Sequence, residues 1–181
     1  MRIISGQYKS RKIKAPKALP VRPTTDMAKE SLFNIINNYY YFDDISVLDL
    51  FAGTGNISYE FASRGTQAIT CVDQDFGCIK FITQTAKEFD MPIETIKSDV
   101  FKFLETISIQ YDIIFSDPPY GFDEQQFNKI PQLVFHNNLL TNHGLLVIEH
   151  SKHTDLSKAL NFKYSKSYGG SVFSFFTKTT D

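Results

Sequence analysis

Two stretches of this 181-residue chain carry residue types that do chemistry. One is Asp49-Leu-Phe51-Ala52-Gly53-Thr54-Gly55-Asn56, which follows the apolar run that starts at Ser46. Gly53 and Gly55 let the backbone turn tightly and approach a ligand closely. Asp73 lies 20 residues beyond Gly53, a separation at which a carboxylate can accept hydrogen bonds from ribose hydroxyls. The other stretch is Asp117-Pro118-Pro119-Tyr120, directly behind the apolar run Tyr111 to Phe115. Proline has no N–H to extend a sheet, so a strand must stop there. A carboxylate, a carbonyl aimed by stiff prolines and an aromatic ring together can also hold and orient an amine on a base.

The glycine loop narrows its own ligand. A nicotinamide cofactor would call for glycine at position 58, where this chain has Ser58. An acid before the loop suits a cation better than a pyrophosphate. S-adenosylmethionine carries an ammonium and a sulfonium and no phosphate, so Asp49 fits that cofactor. A purely structural role for Asp49, as a hydrogen-bond acceptor, stays open. Asp99, in Lys97-Ser-Asp99-Val, would face the adenine, and it can equally cap a helix. The two roles are compatible.

These residues need a scaffold that places them together. Strand-like runs at 46–51, 68–73, 92–97, 111–115 and 145–149 alternate with helical patterns at 56–64, 76–89, from 99 and at 127–135. Such alternation predicts a Rossmann-like, doubly wound, mainly parallel α/β sheet. Residues 162–168 and 172–177 flank Gly169-Gly170 and add an antiparallel finish, for seven strands in all. Ahead of the core, Arg2-Ile-Ile and Arg11-Lys-Ile-Lys14 read as a small β-hairpin around Ser5-Gly6. A helix should begin at Thr24 or Thr25, with Ala28, Leu32, Ile35 and Ile36 on its apolar face. The length suits one domain over residues 1–181, with a basic extension and helix at 1–40 and the core at 45–181.

The formal net charge of −1 hides an asymmetry. Residues 1–29 carry eight basic side chains against Asp26 alone, and the body is acidic. Arg2, Lys9, Arg11, Lys12, Lys14 and Arg22 interleave with Ile3, Ile4, Tyr8 and Ile13, which predicts an ordered surface for a polyanion such as nucleic acid. The two cysteines, Cys71 and Cys78, form no C-x-x-C and read as reduced, buried thiols. No apolar run approaches membrane-span length and no signal-peptide core opens the chain, so a cytoplasmic setting without a membrane partner is expected. His136, His143, His150 and His153 lack metal-site spacing and read as surface or polar-core residues; no metal is expected.

The loop, Asp73, Asp99 and Asp117-Pro-Pro-Tyr120 stand in the order of class I S-adenosylmethionine-dependent methyltransferases that modify exocyclic amines. Asp-Pro-Pro-Tyr resembles their (Asn/Asp/Ser)-Pro-Pro-(Tyr/Phe) signature. Arg2 to Pro16, Arg22-Pro-Thr-Thr-Asp26, Lys29 to Ile36, Val47 to Gly55, Val147-Ile-Glu-His150 and Tyr168-Gly169 resemble the RsmD family of bacterial 16S rRNA guanine-N2 methyltransferases. The resemblance spans nearly the whole chain and is weak from Phe122 to Asn142. It implies methylation of one guanine N2 of 16S rRNA, in a small-subunit assembly particle, by a monomer. It also implies that Arg22 and Thr24 border the cofactor or the RNA. Where the family more often has glutamate, this chain has Asp73.

A DNA adenine-N6 methyltransferase would use the same clamp, but usually with a recognition domain for which little chain remains. A glutamine-N5 protein methyltransferase would typically begin the motif with asparagine, and the basic arm favours nucleic acid. A non-catalytic RNA-binding module would not need an intact loop, acid and clamp.

Overall fold

The computed structural model describes residues 1–16, 19 and 24–178. Its centre is a seven-stranded sheet: β1 (Ser46–Leu50), β2 (Ala68–Asp73), β3 (Ile93–Lys97), β4 (Tyr111–Ser116), β5 (Leu140–Ser151), β6 (Phe162–Tyr168) and β7 (Ser171–Thr177). The strand order is β3-β2-β1-β4-β5-β7-β6. Strands β1 to β5 pair in parallel, and β7 runs antiparallel to both β5 and β6.

Alternate strand residues feed two cores, as a pleat with period two requires. Val47, Ile113 and Val147 join one core with α1 (Asp26–Ile36), α2 (Asn56–Arg64) and α3 (Phe76–Glu88). Leu48, Leu50, Ile114, Leu146 and Ile148 join the other with α4 (Val100–Thr106) and α5 (Glu124–His136). The chain crosses from β3 back to β4 beside β1, so the order reverses between β1 and β4. Ligands of open α/β sheets bind at the carboxyl ends of the strands flanking such a reversal.

Apart from α2, which opens on Gly55, the α-helices begin on side-chain caps. Thr25 Oγ1 accepts from the Ala28 N–H at 3.2 Å, and Asp99 Oδ1 accepts from the Lys102 N–H at 3.0 Å. α5 opens three residues before Phe127 because Asp123 and Gln126 form a reciprocal capping box. Two expectations are revised. β5 begins at Leu140, not at Leu145, because Tyr111 N–H and the Tyr111–Leu140 pairing extend the ladder past Gly144. The N-terminal hairpin closes through Ile3 N–H to the Arg11 carbonyl and Ile13 N–H to the Met1 carbonyl, but it holds a single antiparallel bridge, Arg2 to Lys12, because the N–H groups of residues 4, 5, 7 and 8 bond Glu60 and Ser63 of α2. On α1, Phe33 and Lys29 are buried along with Ala28, Leu32 and Ile36.

Candidate active site

At the carboxyl ends of β1, β2 and β4 lies a cavity of about 860 Å³, within the size range of small-molecule sites. It brings together Asp49, Phe51, Ala52, Gly53, Thr54, Asp73, Asp117, Pro118, Pro119 and Tyr120. Gly55 stands behind it in the turn, and Asp99 is not among its lining residues.

The loop is built for this position. Gly55 has φ +76° and its N–H donates to the Ala52 carbonyl at 2.7 Å; a Cβ there would lie 2.9 Å from the Tyr59 ring. Only glycine meets both demands. Phe51 also takes a positive φ, +56°, which a bulky side chain rarely adopts. Its ring packs edge-on against Phe122 and Phe101, centroids 5.4 and 6.3 Å away, and Phe122 stacks on Phe101. Backbone strain of this kind concentrates at binding sites.

Asp73 organises the loop. Its Oδ2 accepts from the Gly53 N–H and its Oδ1 from the Asp75 N–H, both at 2.8 Å. Each oxygen keeps a lone pair for a further donor. Asp49 is buried and held by the Ser58 hydroxyl, which donates to its Oδ2 at 2.5 Å. Ser58 Oγ also lies 2.9 Å from Cys71 Sγ. The residue that breaks the dinucleotide fingerprint thus has its own task, fixing the acid ahead of the loop. Burial pushes the Asp49 carboxyl up to about 7, with the Asp73 charge adding to it and the Ser58 hydrogen bonds opposing.

Asp117 follows the last residue of β4, and its N–H reaches the Leu50 carbonyl at 3.3 Å. Burial, then the nearby charges of Glu149 and Asp49, raise its carboxyl well above the usual carboxylate range. Pro118 is buried, Pro119 is exposed, and Tyr120 is 60% exposed at the rim. The Phe122 N–H closes a turn onto the Pro119 carbonyl at 3.0 Å.

Sequence reasoning overlooked several lining residues: Leu19, Ile57, Gln74, Asp75, Cys78 and Phe115. Asp75 had a readable signal, an acid one residue before a helix; its Oδ1 caps α3 at the Cys78 N–H, 2.8 Å away. Leu19 had none, since its place depends on where the arm folds. Glu149 is buried at the end of β5 and accepts from Thr24 Oγ1 at 2.8 Å. His150, buried between Ser174 Oγ and the Ser151 carbonyl at 2.7 and 2.9 Å, is a polar-core residue whose burial lowers its pKa. His136, His143 and His153 are exposed, and both cysteines are free and buried.

The arm turns its charges outward. Arg2, Lys9, Arg11, Lys12 and Lys14 are exposed while Ile3 and Ile13 are buried. Arg2 pairs with Asp26 at 3.1 Å, and Arg11 lies over the Phe89 ring. Arg22 lies outside the described residues.

A parallel sheet with this reversal, a glycine loop answered by an acid on the next strand and Asp-Pro-Pro-Tyr beside it define an S-adenosylmethionine-dependent methyltransferase of the Rossmann-like class. Residues 1–177 match the family model described as "Conserved hypothetical protein 95", and the chain belongs to this family, the RsmD family of methyltransferases. It is 34% identical over 165 residues to "Putative rRNA methyltransferase YlbH" of Bacillus subtilis, covering 88% of each chain. It is 31% identical over 173 residues to "Ribosomal RNA small subunit methyltransferase D" of Haemophilus influenzae, covering 92% of this chain and 86% of the other. Its fold is shared with the solved "Putative methyltransferase yhhF from Escherichia coli", with a TM-score of 0.85, 24% identity and coverage of 97% and 96%.

Proposed function

We propose that this protein transfers a methyl group from S-adenosylmethionine to the exocyclic N2 of a guanine in 16S rRNA. The observation that carries the reading is the meeting of Asp117-Pro118-Pro119-Tyr120 with the Asp49–Gly55 loop and Asp73 around one cavity. The ribosomal RNA comes from the relatives named above, and the outward basic arm agrees with it.

The residues fit the cofactor. Asp73 has acceptor capacity left for ribose hydroxyls, and a buried carboxyl at Asp49 is relieved by a neighbouring cation. When bound, S-adenosylmethionine supplies a methyl group on an electrophilic sulfonium. The guanine amine is a weak nucleophile because its lone pair is delocalised into the ring. Asp117 and the Pro118 carbonyl accept hydrogen bonds from the amine, orient its lone pair and stabilise the positive charge that develops on nitrogen. As the N–C bond forms and the C–S electrons return to sulfur, one N–H proton leaves toward Asp117 and on to solvent. Tyr120 stacks on the base, and a base within a helix must first be flipped out.

The deciding experiment is nucleoside mass spectrometry of 16S rRNA from cells with and without the gene. Loss of one N2-methylguanosine is expected. An unchanged nucleoside profile overturns the proposal.

A further inference from the structure

The arm is fastened to the core through a buried carboxylate. Glu60, on α2, is fully buried; its Oε2 accepts from the Ile4 N–H at 2.8 Å and its Oε1 from the Ser5 N–H at 3.0 Å. Arg64 Nε donates to Oε1 at 2.9 Å, and Lys29 Nζ lies 3.5 Å from Oε2. Each of these cations is tied down further. The Arg64 guanidinium lies over the Phe33 and Phe42 rings, 4.7 and 5.4 Å from their centroids. Lys29, 1% exposed, donates to the Arg2 carbonyl at 2.7 Å and to Asn56 Oδ1 at 2.8 Å.

Asn56 carries the connection into the cavity. It is the first residue of α2, it lines the cavity, and its Nδ2 donates to the Thr24 carbonyl at 3.2 Å. Thr24 lines the cavity too, and its hydroxyl donates to Glu149, the residue whose charge weighs on Asp117. An unbroken polar path therefore runs from the Arg2 backbone through Lys29, Asn56 and Thr24 to Glu149. Lys29 itself does not line the cavity.

A buried ion pair alone would be a staple. Here the staple shares its lysine with a cavity residue: undocking the arm takes the Arg2 carbonyl from Lys29 and the Ile4 and Ser5 N–H groups from its counter-ion Glu60, and so loosens the side chain that orients Asn56 and, through it, Thr24. We infer that Lys29, Asn56 and Thr24 couple docking of the basic arm to cofactor binding, so that each favours the other. Coupling between two binding events is reciprocal. Resting on the proposed substrate, the consequence is that rRNA phosphates on the arm raise affinity for S-adenosylmethionine, and cofactor raises affinity for rRNA.

The test needs no RNA. S-adenosylhomocysteine is titrated into the whole chain, and hydrogen exchange of the Ile3, Ile4, Ser5, Tyr8 and Ile13 amides is followed with and without it. Saturation should slow arm exchange in the wild type by about fivefold or more. Lys29→Met should weaken S-adenosylhomocysteine binding by a similar factor, although residue 29 does not touch the cavity. If that variant fails to fold, Thr24→Val and Thr24→Ser test the path from its other end. Valine should reduce the slowing and serine should restore it. Arm exchange indifferent to ligand, a Lys29→Met variant with wild-type affinity, or a Thr24→Val variant with wild-type slowing overturns the coupling. None of these results depends on which nucleotide is methylated, so failure here is separate from failure of the 16S rRNA assignment.

Discussion

Asp49 and Asp117 line the same cavity from the ends of the neighbouring parallel strands β1 and β4, and the Asp49 charge adds to the burial that raises the Asp117 pKa. Burial is the larger cause, and the Glu149 charge stands between the two. In the proposed reaction Asp117 must be ionised to take the proton that the amine loses, so the methyl-transfer rate should fall as pH drops through the raised Asp117 pKa. Glu149→Gln removes a repelling charge and should move that acid limb to lower pH. A pH–rate profile of both proteins checks the shift.

Asp117→Ala should lower kcat by about 100-fold or more, the scale for losing one preorganised polar group at a developing charge. Cofactor affinity should stay within about threefold. Single-turnover assays with 16S rRNA, paired with calorimetric titration of S-adenosylhomocysteine, separate the two effects. Retained turnover would sink the assignment of Asp117.

The pKa of Asp49, about 7 in the folded chain against 3.8 in the unfolded one, has a definite sign. Between those values the folded state holds a proton that the unfolded state has lost. This group's contribution therefore weakens the fold as pH rises through that window, in full above about 7. A cation beside Asp49 reverses the preference. Binding of S-adenosylmethionine should release a proton near pH 6.5 and tighten from pH 6 to pH 8. Titration calorimetry in two buffers of different ionisation enthalpy measures the release, and Asp49→Asn should abolish it.

Glu60→Ala leaves the buried Lys29 ammonium without its counter-charge and takes two acceptors from the arm backbone. A loss of about 3–5 kcal/mol is expected, the usual scale for breaking a buried pair from one side. Thermal or urea unfolding gives the magnitude. Gly6→Ala should release the arm as well, since a Cβ at φ +83° would fall 1.7 Å from the Ser63 carbonyl oxygen.

RNA binding should lose affinity linearly in the logarithm of salt concentration, with a slope set by the phosphates that the arm neutralises. Lys9→Ala, Lys12→Ala and Lys14→Ala combined should flatten that slope. Tyr120→Ala should weaken substrate binding by about 1–3 kcal/mol and Tyr120→Phe should not, because the ring face supplies the stacking. Filter binding at several salt concentrations distinguishes phosphate contacts from stacking.

Much of the fold was legible because the sheet is written in local code. Runs such as Ala68–Asp73 have the length and branching of buried strands, and Asn56–Arg64 starts and stops on glycines, so both elements were read with the bounds they have. β5 was read short because Gly144 resembles a boundary, and only pairing with β4 carries the strand past it. The hairpin at Arg2-Ile-Ile and Lys12-Ile-Lys forms, but it is shorter than its local strand character suggests, because the N–H groups of residues 4, 5, 7 and 8 go to Glu60 and Ser63.

The site divides in the same way. The sequence by itself determined the chemistry on offer: a glycine loop, an acid at ribose distance, a stiff clamp behind a strand and a basic arm. Each is a short-range pattern whose backbone demands local residues meet. Tertiary structure alone decided what these groups do to one another. That Ser58 holds Asp49, that Glu149 presses on Asp117, and that Lys29 joins Arg2 to Asn56 depends on residues 9 to 32 positions apart becoming neighbours. Such contacts exist only after the two cores close and remove these charges from water, where burial makes a carboxylate's partners matter most.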